Sequence, residues 1–205
     1  NHGFRQNIYI YAFILQFMSK KLAIFASGAG SNAQKIIDYF KNSSTAAVTL
    51  ILCNKPGAGV LSIAEREGIE HVLIEKAQYK IDGYASFLKE KGIDFVILAG
   101  FLWKIPQALI DAYPNRIVNI HPALLPKYGG KGMYGAHVHE AVIKNKEKES
   151  GITIHYVDEH YDHGDVIFQA KCTVAPDDTP ETLAQKIHQL EHAHFPRVIE
   201  SLITK

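Results

Sequence analysis

Residues 21–40 read KLAIFASGAGSNAQKIIDYF, and the order of the parts settles the fold class. Lys21–Ala26 is an apolar run without alternation, the pattern of a strand buried on both faces. A turn, Ser27-Gly28-Ala29-Gly30-Ser31, follows it. Asn32–Lys41 then places Ala33, Ile36, Ile37 and Phe40 at offsets 0, 3, 4 and 7, one stripe of an amphipathic helix. Ser31 with Gln34 fits a capping box at its start. A buried strand, a tight glycine turn and a helix make the opening of a βαβ unit.

The same alternation continues outward. Strands are expected at Ala47–Cys53, Glu70–Ile74, Asp94–Leu98, Arg116–Asn119 and Gly151–Asp158, and helices at Val60–Glu67, Asp82–Lys91, Pro106–Ala112 and His137–Asn145. Phe168, Ala170, Cys172 and Val174 alternate with Gln169, Lys171 and Thr173, so Val166–Val174 has one wetter face and reads as an edge or antiparallel strand. A closing helix begins near Thr179 with Leu183, Ile187 and Leu190 on one stripe, and Pro196 is expected to kink or interrupt it. Such alternation gives an α/β domain, a largely parallel sheet covered on both faces.

Composition narrows the function. Hydrophobic residues are 47% and charged residues 21% of 205, the balance of a globular domain. With 22 Lys+Arg against 21 Asp+Glu the net charge is +1, too small for a nucleic-acid footprint, and no nucleic-acid partner is expected. Ile8–Phe17 is apolar but only ten residues long, too short to span a bilayer as a helix, so no membrane role is expected. Met18 reads as the natural start, with 1–17 an extension whose Ile/Tyr/Phe alternation suggests a strand on a neighbour. Cys53 and Cys172 match no zinc or redox spacing and read as reduced thiols of a cytoplasmic protein.

In an open α/β sheet, ligands bind beyond the carboxyl ends of the strands. Four loops are expected there if their strands run parallel: Gly28–Asn32, Gly100–Ile105, Asn119–Pro122 and Glu159–Asp165. The first has the makings of an anion cradle, with two glycines before a helix N-terminus; the alternative is a capped turn without a ligand. It also satisfies G-x-G-x-x-A, but a dinucleotide site wants an acid near the end of the second strand, where Cys53-Asn54-Lys55 stands. A single terminal phosphate fits better than NAD. Asn119 and His121, two apart on an extended chain, face the same side, an oxyanion donor beside a titratable base. Asp162 is a candidate carboxylate partner. Each also has a plain reading: turn former, hydrogen-bonded loop residue, solvated acid. Of the eleven histidines, His137 with His139, His192 with His194, and His160 with His163 form no recognised set at metal spacing, so no metal is expected.

These segments resemble the phosphoribosylglycinamide formyltransferases. The likeness rests on Ala26–Asn32, Leu98-Ala99-Gly100-Phe101, Val118–Tyr128 with its Asn-x-His-Pro, Asp162-His163-Gly164 and Gln189–His192, in family order from Lys21 to about Pro196. It implies a single Rossmann-like three-layer domain over 18–205, with a mostly parallel twisted sheet and an antiparallel edge near the C-terminus. The implied reaction carries a formyl group from 10-formyltetrahydrofolate, a co-substrate, to the amine of glycinamide ribonucleotide. By likeness Asn119, His121 and Asp162 are catalytic, with Asp162 raising the His121 pKa so that a protonated imidazole helps hold the oxyanion. Gly30, Ser31 and Asn32 take the phosphate, and His188, Gln189, Leu190 and Glu191 hold the ribose and glycinamide end. Leu102, Trp103, Lys104, Ile105, Asn119 and Asp158, Glu159, His160, Tyr161, Asp162 line the folate pocket. Trp103 either stacks on the pterin or packs.

Two departures stand out: Gly129–Ala136 is longer and richer in glycine than in the familiar bacterial form, a flap or a plain insertion, and a folate-contacting arginine is missing near Ile81. A deformylase or a methionyl-tRNA formyltransferase would need a further domain. A non-catalytic nucleotide-binding module is the rival from another class. A monomer or homodimer is expected.

Overall fold

The structure, a computed structural model, describes residues 19–205; the expectations for 1–17 and for a start at Met18 lie outside the described residues. The strands are β1 Lys20–Ala26, β2 Ala46–Cys53, β3 Glu70–Leu73, β4 Phe95–Leu98, β5 Ile117–His121, β6 Glu149–Tyr156 and β7 Val166–Thr173. The helices are α1 Ser31–Phe40, α2 Gly59–Glu67, α3 Lys76–Asp82, α4 Ala85–Glu90, α5 Gln107–Ala112, α6 Ala136–Lys144 and α7 Pro180–Ile203.

Among the described residues the strands form one sheet in the order β3-β2-β1-β4-β5-β6-β7. The first five run parallel, and β6 and β7 each pair antiparallel to the strand before. Side chains of β1 show why it is central. Leu22, Ile24 and Ala26 face a core shared with α1, α2, α6 and α7, while Ala23 and Phe25 face a second core shared with α3, α4 and α5. All five are fully buried, so a charge at any of them would have to enter a packed layer. Two helical layers thus enclose the sheet, as the unbroken apolar run predicts.

Four local expectations are corrected. Ser31 and Gln34 do not form a capping box: α1 is capped by Gly30 in the left-handed region, φ 84°, with no side-chain cap. Asp82–Lys91 is not one helix: α3 ends at Asp82 and α4 begins at Ala85, because Gly83 and Tyr84 both take positive φ and Asp82 accepts the N–H groups of Tyr84 (3.0 Å) and Ser86 (3.0 Å). Of the two outcomes expected at Pro196, a kink or an interruption, the interruption does not occur: α7 continues to Ile203. Finally, the strands leading to the four expected loops are not all parallel. β6 runs antiparallel to β5 and ends at Tyr156, paired with Val118. That level is one residue inside the carboxyl rim marked by Leu98 and Asn119. Residues 157–165 therefore fold back over the rim and rejoin at β7, tied by Tyr156 N–H to Asp165 C=O at 3.0 Å.

Candidate active site

The strand order reverses between β1 and β4, the switch point at which open α/β sheets leave a crevice. A cavity of about 790 Å³ opens there, lined by the loops that follow β1, β2, β4 and β5, by 130–135, and by side chains of α6 and α7. The volume suits a nucleotide-sized ligand with company. Ser27 stitches two of the loops together: its N–H donates to Gly100 C=O (3.1 Å) and its Oγ accepts from Leu102 N–H (3.0 Å).

At one end lies the glycine turn. A Cβ on Gly30 would come within 2.9 Å of the Val60 backbone and 2.8 Å of Ile63, so only glycine fits this left-handed cap. The turn leaves the α1 N-terminus free of side-chain caps and open to the cavity. Behind it, Asn32 Nδ2 donates to Glu191 Oε2 at 2.9 Å, while Asn32 Oδ1 is buried without a partner among the described residues. Burial raises the Glu191 carboxyl, against the lowering effect of Asn32 and His188. Lys55, exposed, completes this end.

At the other end Asn119, His121 and Asp162 converge. Asn119 and His121 share a face of β5, and the returning hairpin brings Asp162 onto it. Asp162 Oδ1 lies 3.4 Å from His121 Nδ1 and 3.4 Å from Asn119 Nδ2. Its Oδ2 accepts the Gly130 N–H at 2.9 Å. Gly164 permits the return, since a Cβ there would sit 2.0 Å from Tyr156 O. His155 orients the amide: its Nδ1 donates to Tyr156 C=O (2.7 Å), leaving Nε2 to accept from Asn119 Nδ2 (3.0 Å). His121 Nε2 donates to Tyr128 C=O at 2.8 Å, so its Nδ1 faces the carboxylate.

The electrostatics correct one expectation. Asp162 does pull the His121 pKa upward, but burial acts the other way and wins, so the resting imidazole is held below its ordinary value and is neutral near pH 7. Burial also raises the Asp162 carboxyl, yet its polar surroundings, the donating Gly130 N–H among them, outweigh it and hold the group below its ordinary value.

Of the other residues singled out in the sequence, Gly30, Ser31, Asn32, His188, Glu191, Leu102 and Tyr161 line the cavity. Gln189 and Leu190 do not: His188 and Glu191 are three apart on one helical face, and the two residues between them point elsewhere. Trp103 packs on Tyr79 and Phe101, at ring separations of 5.3 and 6.4 Å, rather than facing the cavity. Ile105 is buried in the second core, Lys104 and Glu159 are exposed, and Asp158 and His160 lie outside the lining. Lys131 and Tyr134 reach the cavity, so 130–135 forms part of its wall.

Sequence reasoning missed Lys55 and His139. His139 is 4% exposed and lines the cavity, while His137, two positions away, is exposed. Helical phase in His137-x-His139 was the available signal: Val138 and Val142 fix the buried face, and His139 falls beside it.

Comparison with known proteins places the site in a family context. A family model described as formyl transferase matches residues 20–199. The chain is 42% identical over 190 residues to the chloroplastic phosphoribosylglycinamide formyltransferase of Arabidopsis thaliana, covering 89% of this chain. It spans 65% of that relative's length and 61% of the Vigna unguiculata counterpart's. It is 38% identical to the phosphoribosylglycinamide formyltransferase of Bacillus subtilis (strain 168), covering 90% of this chain and 95% of that one. The crystal structure of phosphoribosylglycinamide formyltransferase from Bacillus halodurans superposes with a TM-score of 0.82 at 40% identity, over 91% of this chain and 96% of that one.

Proposed function

Since the chain belongs to the formyl transferase family, we propose that it moves a formyl group from 10-formyltetrahydrofolate to the amine of glycinamide ribonucleotide, a step of purine biosynthesis. One observation carries this reading. A glycine-capped helix N-terminus suited to a sugar monophosphate and an Asn–His–Asp cluster suited to acyl transfer occupy opposite ends of one cavity. The unpartnered Asn32 Oδ1 and the buried Glu191 carboxyl, behind the glycine turn, suit the hydroxyls of a ribose.

The residues then have definite work. Gly30, Ser31 and Asn32 present N–H groups to the phosphate. Asn119 exchanges its long bond to Asp162 for the formyl oxygen, donating to it as negative charge gathers there. As the amine nitrogen bonds to the formyl carbon, the neutral His121 takes the surplus amine proton on Nδ1. The imidazolium so formed is paired with Asp162. It returns the proton to the folate nitrogen as the bond from that nitrogen to the formyl carbon breaks, leaving formylated product and tetrahydrofolate. Leu102, Asn119, Tyr161 and Asp162 border the space for the folate, and no metal takes part in these steps. Cytoplasmic residence goes with this reading; Cys53 and Cys172 are both free thiols. No described helix is long and apolar enough to cross a membrane.

A spectroscopic formyl-transfer assay with both substrates tests the activity, and thermal unfolding tests the site. Glycinamide ribonucleotide with a formyl-folate analogue should raise the melting temperature and NAD should not. Stabilisation by NAD alone, with no turnover, would refute the assignment. Turnover left intact in both His121→Ala and Asp162→Asn would refute the mechanism alone.

A further inference from the structure

Outside the cavity, the 157–165 hairpin gathers three side chains with no part in the proposed chemistry. Asp158, His160 and His163 each offer one ligand atom, and these atoms lie within 4.8 Å of one another. Among the described residues they are the one such group of three. Asp158 is already set in place: Oδ1 accepts the backbone N–H of His160 (2.8 Å) and Oδ2 the Nδ1–H of His163 (2.8 Å). The two imidazole rings lean together with centroids 5.3 Å apart.

A tetrahedral zinc ion with bonds of about 2.0–2.1 Å keeps its ligand atoms ~3.3–3.4 Å apart. His163 Nδ1 lies 2.8 Å from Asp158 Oδ2, and all three ligand atoms lie within 4.8 Å of one another, close enough for one ion to be shared after modest adjustment. Both rings are largely exposed, at 65% and 73% of their side-chain surface, so small rotations can close the set without disturbing the core. Two imidazoles with one carboxylate select zinc, nickel or cobalt over magnesium and calcium, which take all-oxygen shells. Three protein ligands leave the fourth position to water.

We propose that Asp158, His160 and His163 form a binding site for a zinc-class divalent cation, separate from the reaction centre. Tyr161 and Asp162, which line the cavity, fall between two of the ligands, so an ion here would clamp the short segment that carries the acid.

The test is isothermal titration calorimetry of Zn²⁺ into the tag-free, metal-stripped full chain at neutral pH, with Mg²⁺ as a parallel titrant. One equivalent of Zn²⁺ should bind, and Mg²⁺ should not. His160→Gln and His163→Gln should each weaken binding by more than about tenfold, the least that even an outer-shell partner is worth, and the double variant should abolish it. His194→Gln, on α7, should leave it unchanged. Absence of a one-equivalent Zn²⁺ event in the unsubstituted protein would overturn the proposal. So would an affinity in the double variant within tenfold of the original.

Discussion

Replacing His139 by glutamine should flatten the acid limb of the stability curve. His139 sits on α6 with Nδ1 buried and unpartnered among the described residues. Burial, reinforced by His188 and His121, lowers its pKa from 6.5 to about 4. In the unfolded chain an ordinary imidazole takes a proton as the pH falls through 6.5, whereas the folded protein refuses it until about 4. Between those values the unfolded state holds one more proton, so folding stability falls on acidification. From about pH 7.5 to about pH 5 this single group removes about 2 kcal/mol, an upper figure because water in the cavity screens the charge. Glutamine keeps a neutral polar side chain there and has no proton to gain. Urea unfolding at the two pH values reads the difference directly. The wild type should lose more than His139→Gln on acidification, by at most about 2 kcal/mol; equal losses would mean that His139 titrates as if in water, and the argument from burial would fail.

Three further outcomes follow from the geometry. Asn119→Ala removes the amide donor and should lower kcat by about 10²–10³, with the folded state intact by circular dichroism; a drop below tenfold would exclude Asn119 as the oxyanion donor. His121→Ala combined with Asp162→Asn should cost far less than the product of the two single losses, because the pair handles one proton as a unit; multiplicative losses in steady-state kinetics would separate their roles. Gly30→Ala places a Cβ 2.8–2.9 Å from Ile63 and Val60 at φ +84°, so it should raise KM for the ribonucleotide while leaving KM for the folate near its original value. Equal changes in both constants would argue against a phosphate site at this turn.

Much of this architecture is legible because its determinants are local. The apolar run at Lys21–Ala26 and the Ala33/Ile36/Ile37/Phe40 stripe each specify an element by side-chain period alone. The alternation in 166–174 likewise gives away β7 as an edge strand. What escapes is set by backbone dihedrals or by distant partners. The break at Gly83-Tyr84 depends on two consecutive left-handed residues and on the Asp82 carboxylate beneath them, and no hydrophobic pattern records it. The meeting of Asn119 and His121 follows from period two, but the arrival of Asp162 depends on where β6 stops, a register visible only in the pairing of Tyr156 with Val118. His121 shows the same limit in its charge: the carboxylate beside it is readable from the motif, whereas the burial that outweighs it comes from the closed fold.

The reversal of direction at β6 reaches beyond geometry. Because the amide, the imidazole and the acid all belong to β5 and the β6-β7 hairpin, while the glycine turn follows β1, the catalytic cluster and the phosphate turn reach position by different routes. The β5-β6-β7 meander joins neighbours in the chain, whereas the frame must bring β1 beside β4 across some seventy positions. Neither half is competent by itself, so activity reports completed assembly of the whole sheet. A refolding experiment that follows turnover would time the joining of the two, whichever forms first.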